Sequence, residues 1–257
     1  MASFKKITLI GVFSDLSSFP NYRSEKTDES LPANVRRVAV DYSDTPSLAN
    51  ALKGQDVVVS TVGMEGIPGQ KLIIDAAIQA GVRRFIPSDF GSLTTNPAAS
   101  RLPHHVSMVE IQDYMRSKSN KIEYTIFSIG AFTDFLVNRG DGTSRISTTS
   151  LNGAARAIVG ALKNPEPTKN KNVFVHELVV TQSQLLSLAK KYSPQAEWTI
   201  TKIDDPEAEF DRLLTVVREQ PEIPKIIALV KASLLSGKFQ VYYKAVDNDL
   251  VGLPLLN

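Results

Sequence analysis

The sequence predicts a doubly wound α/β fold: an open parallel sheet covered by helices, followed by a small C-terminal α+β lobe. Three stretches carry that prediction. Val57 to Gly63 is a β-branched run ending in small polar residues, as suits a strand buried on both faces. Gly69 to Ala80 places Leu72, Ile73, Ala76, Ala77 and Ala80 on one helical stripe, and Gly81 follows as a stop. Arg83 to Ile86 is a second short run, ended by Pro87. Strand, helix and strand with tight joints make a parallel βαβ unit. Ser60, Thr61, Gly63, Ser88 and Phe90 then fall just past the strands' carboxyl ends, the edge where open α/β sheets bind ligands.

The remaining elements follow in order. Lys6 to Ile10 reads as a buried strand closed by Gly11. A phosphate-binding turn would now need more glycines and a helix N-terminus, but the next glycine is Gly54. Val12 to Pro32 shows no helical stripe and reads as an unusually long loop. Val35 to Val40 is a strand, and Thr45 or Pro46 opens a helix to Lys53 with Gly54 as its stop. After the central unit, Ser92 to His105 is a polar loop, Val106 to Lys118 a helix and Ile122 to Ser128 a strand. Gly130 to Ser150 is irregular, with a turn at Gly140-Asp141-Gly142. Asn152 to Leu162 is a small-residue helix and Val173 to Val175 a short strand. Thr181 caps a helix to Tyr192, and Glu197 to Lys202 alternates as a strand. Pro206 to Glu219 and Ile223 to Ser236 are the last helices. The division expected is residues 1–128 and 129–257, interleaved.

Composition bounds the function. Hydrophobic residues make up 42% of the 257 and charged residues 22%, the mixture of a soluble globular protein. A formal charge of +2 with scattered basic residues gives no nucleic-acid or membrane surface. No run approaches the ~20 apolar residues of a membrane span. The absence of cysteine excludes thiolate chemistry, disulfides and cysteine metal sites, and suits a cytoplasmic protein. His104, His105 and His176 have no metal-site spacing, so no metal is expected.

Val58 to Gly63, then Gln70 with Ile74-Asp75-Ala76-Ala77, then Arg84-Phe85-Ile86-Pro87-Ser88-Asp89-Phe90-Gly91, resembles the NmrA-like and isoflavone-reductase-like family of atypical short-chain dehydrogenases/reductases. The resemblance covers nearly the whole chain. It implies a Rossmann-like domain that binds NADPH and a small aromatic or conjugated substrate reduced by hydride transfer. It also admits an alternative, a non-catalytic dinucleotide-binding regulator or degenerate member.

Three departures bear on that choice. The family has Gly-x-x-Gly-x-x-Gly after the first strand, whereas only Gly11 remains here, and the first crossover helix and second strand are missing. Arg23-Ser24 resembles the Arg-Ser whose arginine meets the 2′-phosphate. The position of the family's lysine is taken by Met108, so no catalytic residue is assigned. The stretch Val137 to Ser144 is shorter than in most members.

The cofactor residues expected are therefore Gly11, Arg23, Ser60, Thr61, Gly63, Ser88 and Phe90, with Phe132 toward substrate, and the NADPH site is weakened or lost. Each has a plainer reading. Gly11 ends a strand; Ser60, Thr61, Gly63 and Ser88 are strand-end residues; Arg23 is a solvated loop arginine; Phe90 and Phe132 are core. Tyr114 and Lys118 have the spacing of the ordinary short-chain dehydrogenase pair. Their helix starts at the ligand edge and runs away from it, so they read as a core aromatic and a helix-terminal cation. His104 and His105 could act as acid or base, but solvated loop histidines are the plainer reading.

Overall fold

A computed structural model describes residues 4–11, 34, 38, 40–133, 143–197 and 203–256. In chain order its elements are β1 (Ile7–Ile10), α1 (Thr45–Leu52), β2 (Val57–Ser60), α2 (Gln70–Gln79), β3 (Arg84–Ile86), α3 (Val106–Ser117), β4 (Glu123–Ser128), β5 (Ala131–Phe132) and β6 (Ile146–Thr149). They continue with α4 (Leu151–Lys163), β7 (Lys171–Phe174), β8 (Leu178–Val180), α5 (Gln182–Tyr192), α6 (Pro206–Glu219), α7 (Ile223–Leu235) and α8 (Asn248–Val251). One sheet has the order β1-β2-β3-β4-β7 and a smaller one β5-β6-β8. Strands β1 to β4 pair in parallel, which is the α/β architecture expected. Two compact units divide within α3 and β4: residues 1–88 with 111–125, and residues 89–110 with 126–257. Among the described residues no helix is long and apolar enough to cross a membrane.

In the first unit β2 is buried along its whole length. The Asp56 carboxylate accepts from the backbone N–H groups of Lys5 and Lys6 at 2.7 and 2.9 Å, clamping the entry of β1 to that of β2. Those two bonds, Lys5 first, hold the Asp56 carboxyl below the ordinary carboxylate range. Across the β3–β4 pair, fully buried Arg84 meets Glu123 at 2.8 Å, so the buried cation is compensated. Helices α1 and α2 pack against each other, and α1 buries Leu48, Ala49 and Leu52.

Two expectations in this unit are corrected. β1 is not buried: Ile7 is 46% and Leu9 58% exposed, and only Ile10 is buried. The next described helix after β1 is α1, so no crossover helix shields that face among the described residues. The buried face of α2 is Gln70, Ile73, Ile74 and Ala77 with Ala76, while Leu72 is exposed. Polar Gln70 belongs to that stripe and disguises its phase. Most of Val12 to Val40, including Arg23, lies outside the described residues; Val38 and Val40 are described and are not in a strand.

In the second unit, the stretch from Gly130 to Ser150 is not irregular, because it contains β5 and β6. These pair in parallel, and β6 pairs antiparallel with β8. β6 reads Ile-Ser-Thr-Thr and is wholly buried. It tolerates burial because its hydroxyls are bonded: Thr149 Oγ1 donates to Ile129 O at 2.7 Å, and Ser147 Oγ lies 2.9 Å from His176 Nδ1. Such a strand has no hydrophobic alternation to find. Helix α4 is capped by Ser150, and α5 by a Thr181–Gln184 capping box. Phe210 and Val217 of α6 and Leu229 and Leu234 of α7 build the core with Leu93 and Leu102. The turn at Gly140 to Gly142 and residues 198–202 of the expected strand lie outside the described residues.

Candidate functional site

The first unit gathers Gly11, Ser60, Thr61, Gly63 and Ser88 at the carboxyl ends of β1, β2 and β3. Thr61 donates to Ile10 O twice, from its N–H at 2.7 Å and from Oγ1 at 2.9 Å. Gly11 has φ +94°, and a Cβ there would stand 2.7 Å from Val62 N and 2.9 Å from Thr61 C. Only glycine fits, and what demands it is the chain's own backbone.

Beyond this contact the edge opens. Thr61 and Gly63 are exposed, and a Cβ on Gly63 would meet nothing within 4 Å. The turn is held from beneath. Ser88 Oγ donates to Val62 O at 2.8 Å, and Ser88 N–H donates to Gln70 Oε1 at 2.8 Å. Gln70 Nε2 donates back to Ser88 O at 3.4 Å. Ser88 is therefore a tie within the edge, and Gln70, which sequence reasoning left out of the site, is its anchor. A buried polar residue opening a helix is the signal for it. Ser60 is fully buried, and its Oγ has no partner among the described residues.

Phe90, Phe132, Met108 and the histidines belong to the second unit. Phe90 has φ +40°, a left-handed conformation strained for a bulky residue. Asp89 Oδ1 accepts from Thr94 Oγ1 at 2.9 Å and from Gly91 N–H at 3.3 Å, closing a turn around it. Tyr243 Oη accepts from Gly130 N–H at 3.1 Å and faces the carbonyl oxygens of Gly91 and Ser92 at 3.4 and 3.3 Å. Burial, with the Asp89 charge adding to it, pushes the Tyr243 phenol far above its ordinary value, so it stays protonated. No sequence pattern links residue 243 to residue 91. The Phe90 ring stacks on Phe127 with centroids 6.4 Å apart. Phe132 is half-buried in β5, and Met108 is half-buried in the first turn of α3.

His104 and His105 are not solvated. Both His104 ring nitrogens are buried without a hydrogen-bond partner among the described residues, and burial, with His105 beside it, pushes its pKa down to about 3. His105 donates from Nδ1 to Ala99 O at 2.8 Å, and burial lowers its pKa as well. Both are neutral near pH 7. Among the described residues, no group of three His, Asp or Glu side chains could hold a metal ion.

In the first unit, Tyr114 donates to Asp75 at 2.6 Å, and Lys118 lies over its ring at 4.9 Å. Burial and Asp75 push the phenol up to about 12. A proton-donating tyrosine at neutral pH needs the opposite shift.

The sequence pattern of the NmrA-like family matches residues 20–249. The chain is similar to the oxidoreductase aprR of Aspergillus flavus, 30% identical over 272 residues covering 98% of this chain and 86% of that protein. As 98% of 257 residues is about 252, about twenty of those positions face gaps in this chain. It is similar to phenylcoumaran benzylic ether reductase PT1 of Pinus taeda, 28% identical over 200 residues, 71% of this chain and 64% of that one. The fold is similar to that of leucoanthocyanidin reductase from Vitis vinifera, solved as a binary complex with NADPH. The TM-score is 0.62 at 19% identity, over 79% of this chain and 73% of the other.

Proposed function

The chain belongs to the NmrA-like family, and on that premise we propose that it is an NADPH-dependent oxidoreductase of the isoflavone-reductase type acting on a small aromatic or conjugated molecule. The observation that carries this reading is the open edge at Thr61 and Gly63, exposed above and tied below by Ser88 and Gln70. The residues present fit a dinucleotide there: small side chains and free space let ribose and phosphate oxygens approach the backbone closely. Thr61, Val62 and Gly63 would hold the cofactor, with Arg23 toward the 2′-phosphate of NADPH. When bound, NADPH supplies the hydride.

The chain's own part is orientation. In the first unit Gly11 fixes the turn at Val62 and Ser88 fixes its carbonyl; in the second, by itself, Asp89 pins the backbone around Phe90. Tyr243 holds the carbonyls that follow it. No described side chain is assigned the proton, since His104 and His105 are buried neutral and Met108 carries none.

Met108, where the family has lysine, favours a second reading: a regulator that binds the dinucleotide and turns nothing over. The test is NADPH consumption followed at 340 nm against quinones and phenylpropanoid ethers, with wild type and Met108→Lys. Turnover by wild type, raised in Met108→Lys, supports the reductase. NADPH binding without turnover in wild type supports the regulator.

A further inference from the structure

The second unit holds a cavity that the dinucleotide edge does not use. Helices α6 and α7, joined through Gln220 to Glu222, pack on each other and leave about 400 Å³ between them. The cause is side-chain size. Helix α7 turns Ala228 and Ala232 toward α6, and Leu213 of α6, with Ile227 and Leu235 of α7, walls the space without filling it. Phe210, the largest apolar side chain of α6, is committed to the core, where its ring meets Phe239 at 5.4 Å. The volume lies within the range of small-molecule sites, roughly 300–1,000 Å³.

Two charged groups line the cavity. Glu209 is already met, since both of its oxygens accept from Arg212 at 2.7 and 2.8 Å. Lys231 makes no ion pair or hydrogen bond with any described residue. A cavity of mixed lining, apolar between the helices and polar at its edge, thus carries a cation that no described residue compensates.

We propose that this cavity binds a compact apolar monocarboxylate, its ring or branched chain between α6 and α7 and its carboxylate on the Lys231 ammonium. Apolar burial supplies the attraction and the charge selects the acid over a neutral analogue. The proposal goes beyond the reductase reading and does not depend on NADPH.

The test is calorimetry on the full chain without cofactor, using 1-naphthoate and its neutral counterpart 1-naphthylmethanol. The expected result is saturable one-to-one binding of naphthoate, with the alcohol about fivefold weaker, or about 1 kcal/mol for a partly exposed charge pair. Lys231→Met brings naphthoate to the level of the alcohol and leaves the alcohol unchanged. Ala228→Trp fills the chamber and removes both. If Ala228→Trp does not fold, Lys231→Met at the cavity edge decides alone. Equal affinity for the two probes, no effect of Lys231→Met, or no saturable naphthoate binding at millimolar concentration overturns the proposal. None of these readouts requires turnover, so failure here is distinct from failure of the reductase reading.

Discussion

Gly11 lies so close to Val62 that a single added carbon would stand 2.7 Å from the Val62 nitrogen. The end of β1 and the turn after β2 are thus one packed backbone joint, with the open space of the edge beginning one residue later at Gly63. Gly11→Ala combines this clash with a left-handed φ, and we expect it to cost at least about 2 kcal/mol by urea denaturation. Gly63 has φ −71° and free space, so Gly63→Ala should remain within about 0.5 kcal/mol of wild type. Equal losses in the two variants would contradict the joint.

Gln70→Leu keeps the helix start buried but strands the Ser88 N–H and C=O. An unmet buried amide group costs about 1–3 kcal/mol, which a denaturation midpoint will show. A neutral result would mean that the Gln70–Ser88 pair does not fix the edge.

Tyr243→Phe removes one hydroxyl that serves Gly130, Gly91 and Ser92. We expect a loss of about 1–2 kcal/mol and a thermal midpoint lower by roughly 3–6 °C for a chain of this size. Tyr242→Phe is the control: its ring carries Arg145 at 4.5 Å, a contact that needs no hydroxyl. It should unfold like wild type.

Acid should unfold the protein through its histidines. The folded-state pKa of His104 is depressed to about 3 from an ordinary 6.5, and those of His105 and His176 are lowered too. As pH falls below 6.5 the unfolded chain takes up protons that the folded chain refuses. For His104 the stability present above pH 6.5 is therefore lost on the way down to about pH 3, by up to about 1.4 kcal/mol per pH unit, and His105 and His176 act in the same direction. Urea midpoints at pH 7, 5.5 and 4.5 should fall less steeply in His104→Leu than in wild type. Parallel slopes would exclude His104 as a contributor.

What the sequence disclosed follows from where the information lies. β2 declares itself by its β-branched run and α5 by the Thr181 cap, because each is decided within a few residues. β6 is hidden because Ser147, Thr148 and Thr149 are buried on hydrogen bonds, and apolar period does not register them. The phase of α2 differs from the expected one at Leu72 because Gln70 is a core position whose amide is satisfied by Ser88, in another element. At the site, the strand-end residues Gly11, Thr61, Gly63 and Ser88 were legible because topology alone places them on one edge. The ties that hold them were not. Tyr243 reaches Gly91 across more than half the sequence, and such pairings leave no local pattern. Tyr114 and Lys118 show the converse, a spacing that imitates a catalytic pair on a helix whose phenol is spent on Asp75.

The central claim is that the Thr61–Gly63 edge holds NADPH, and calorimetric titration of the folded chain with NADPH and NADH tests it most directly. The account predicts saturable binding that favours NADPH and is weakened at least tenfold, about 1.4 kcal/mol, by Gly63→Val with unfolding unchanged. Absence of NADPH binding to a chain that still melts cooperatively, or binding indifferent to Gly63→Val, would contradict it.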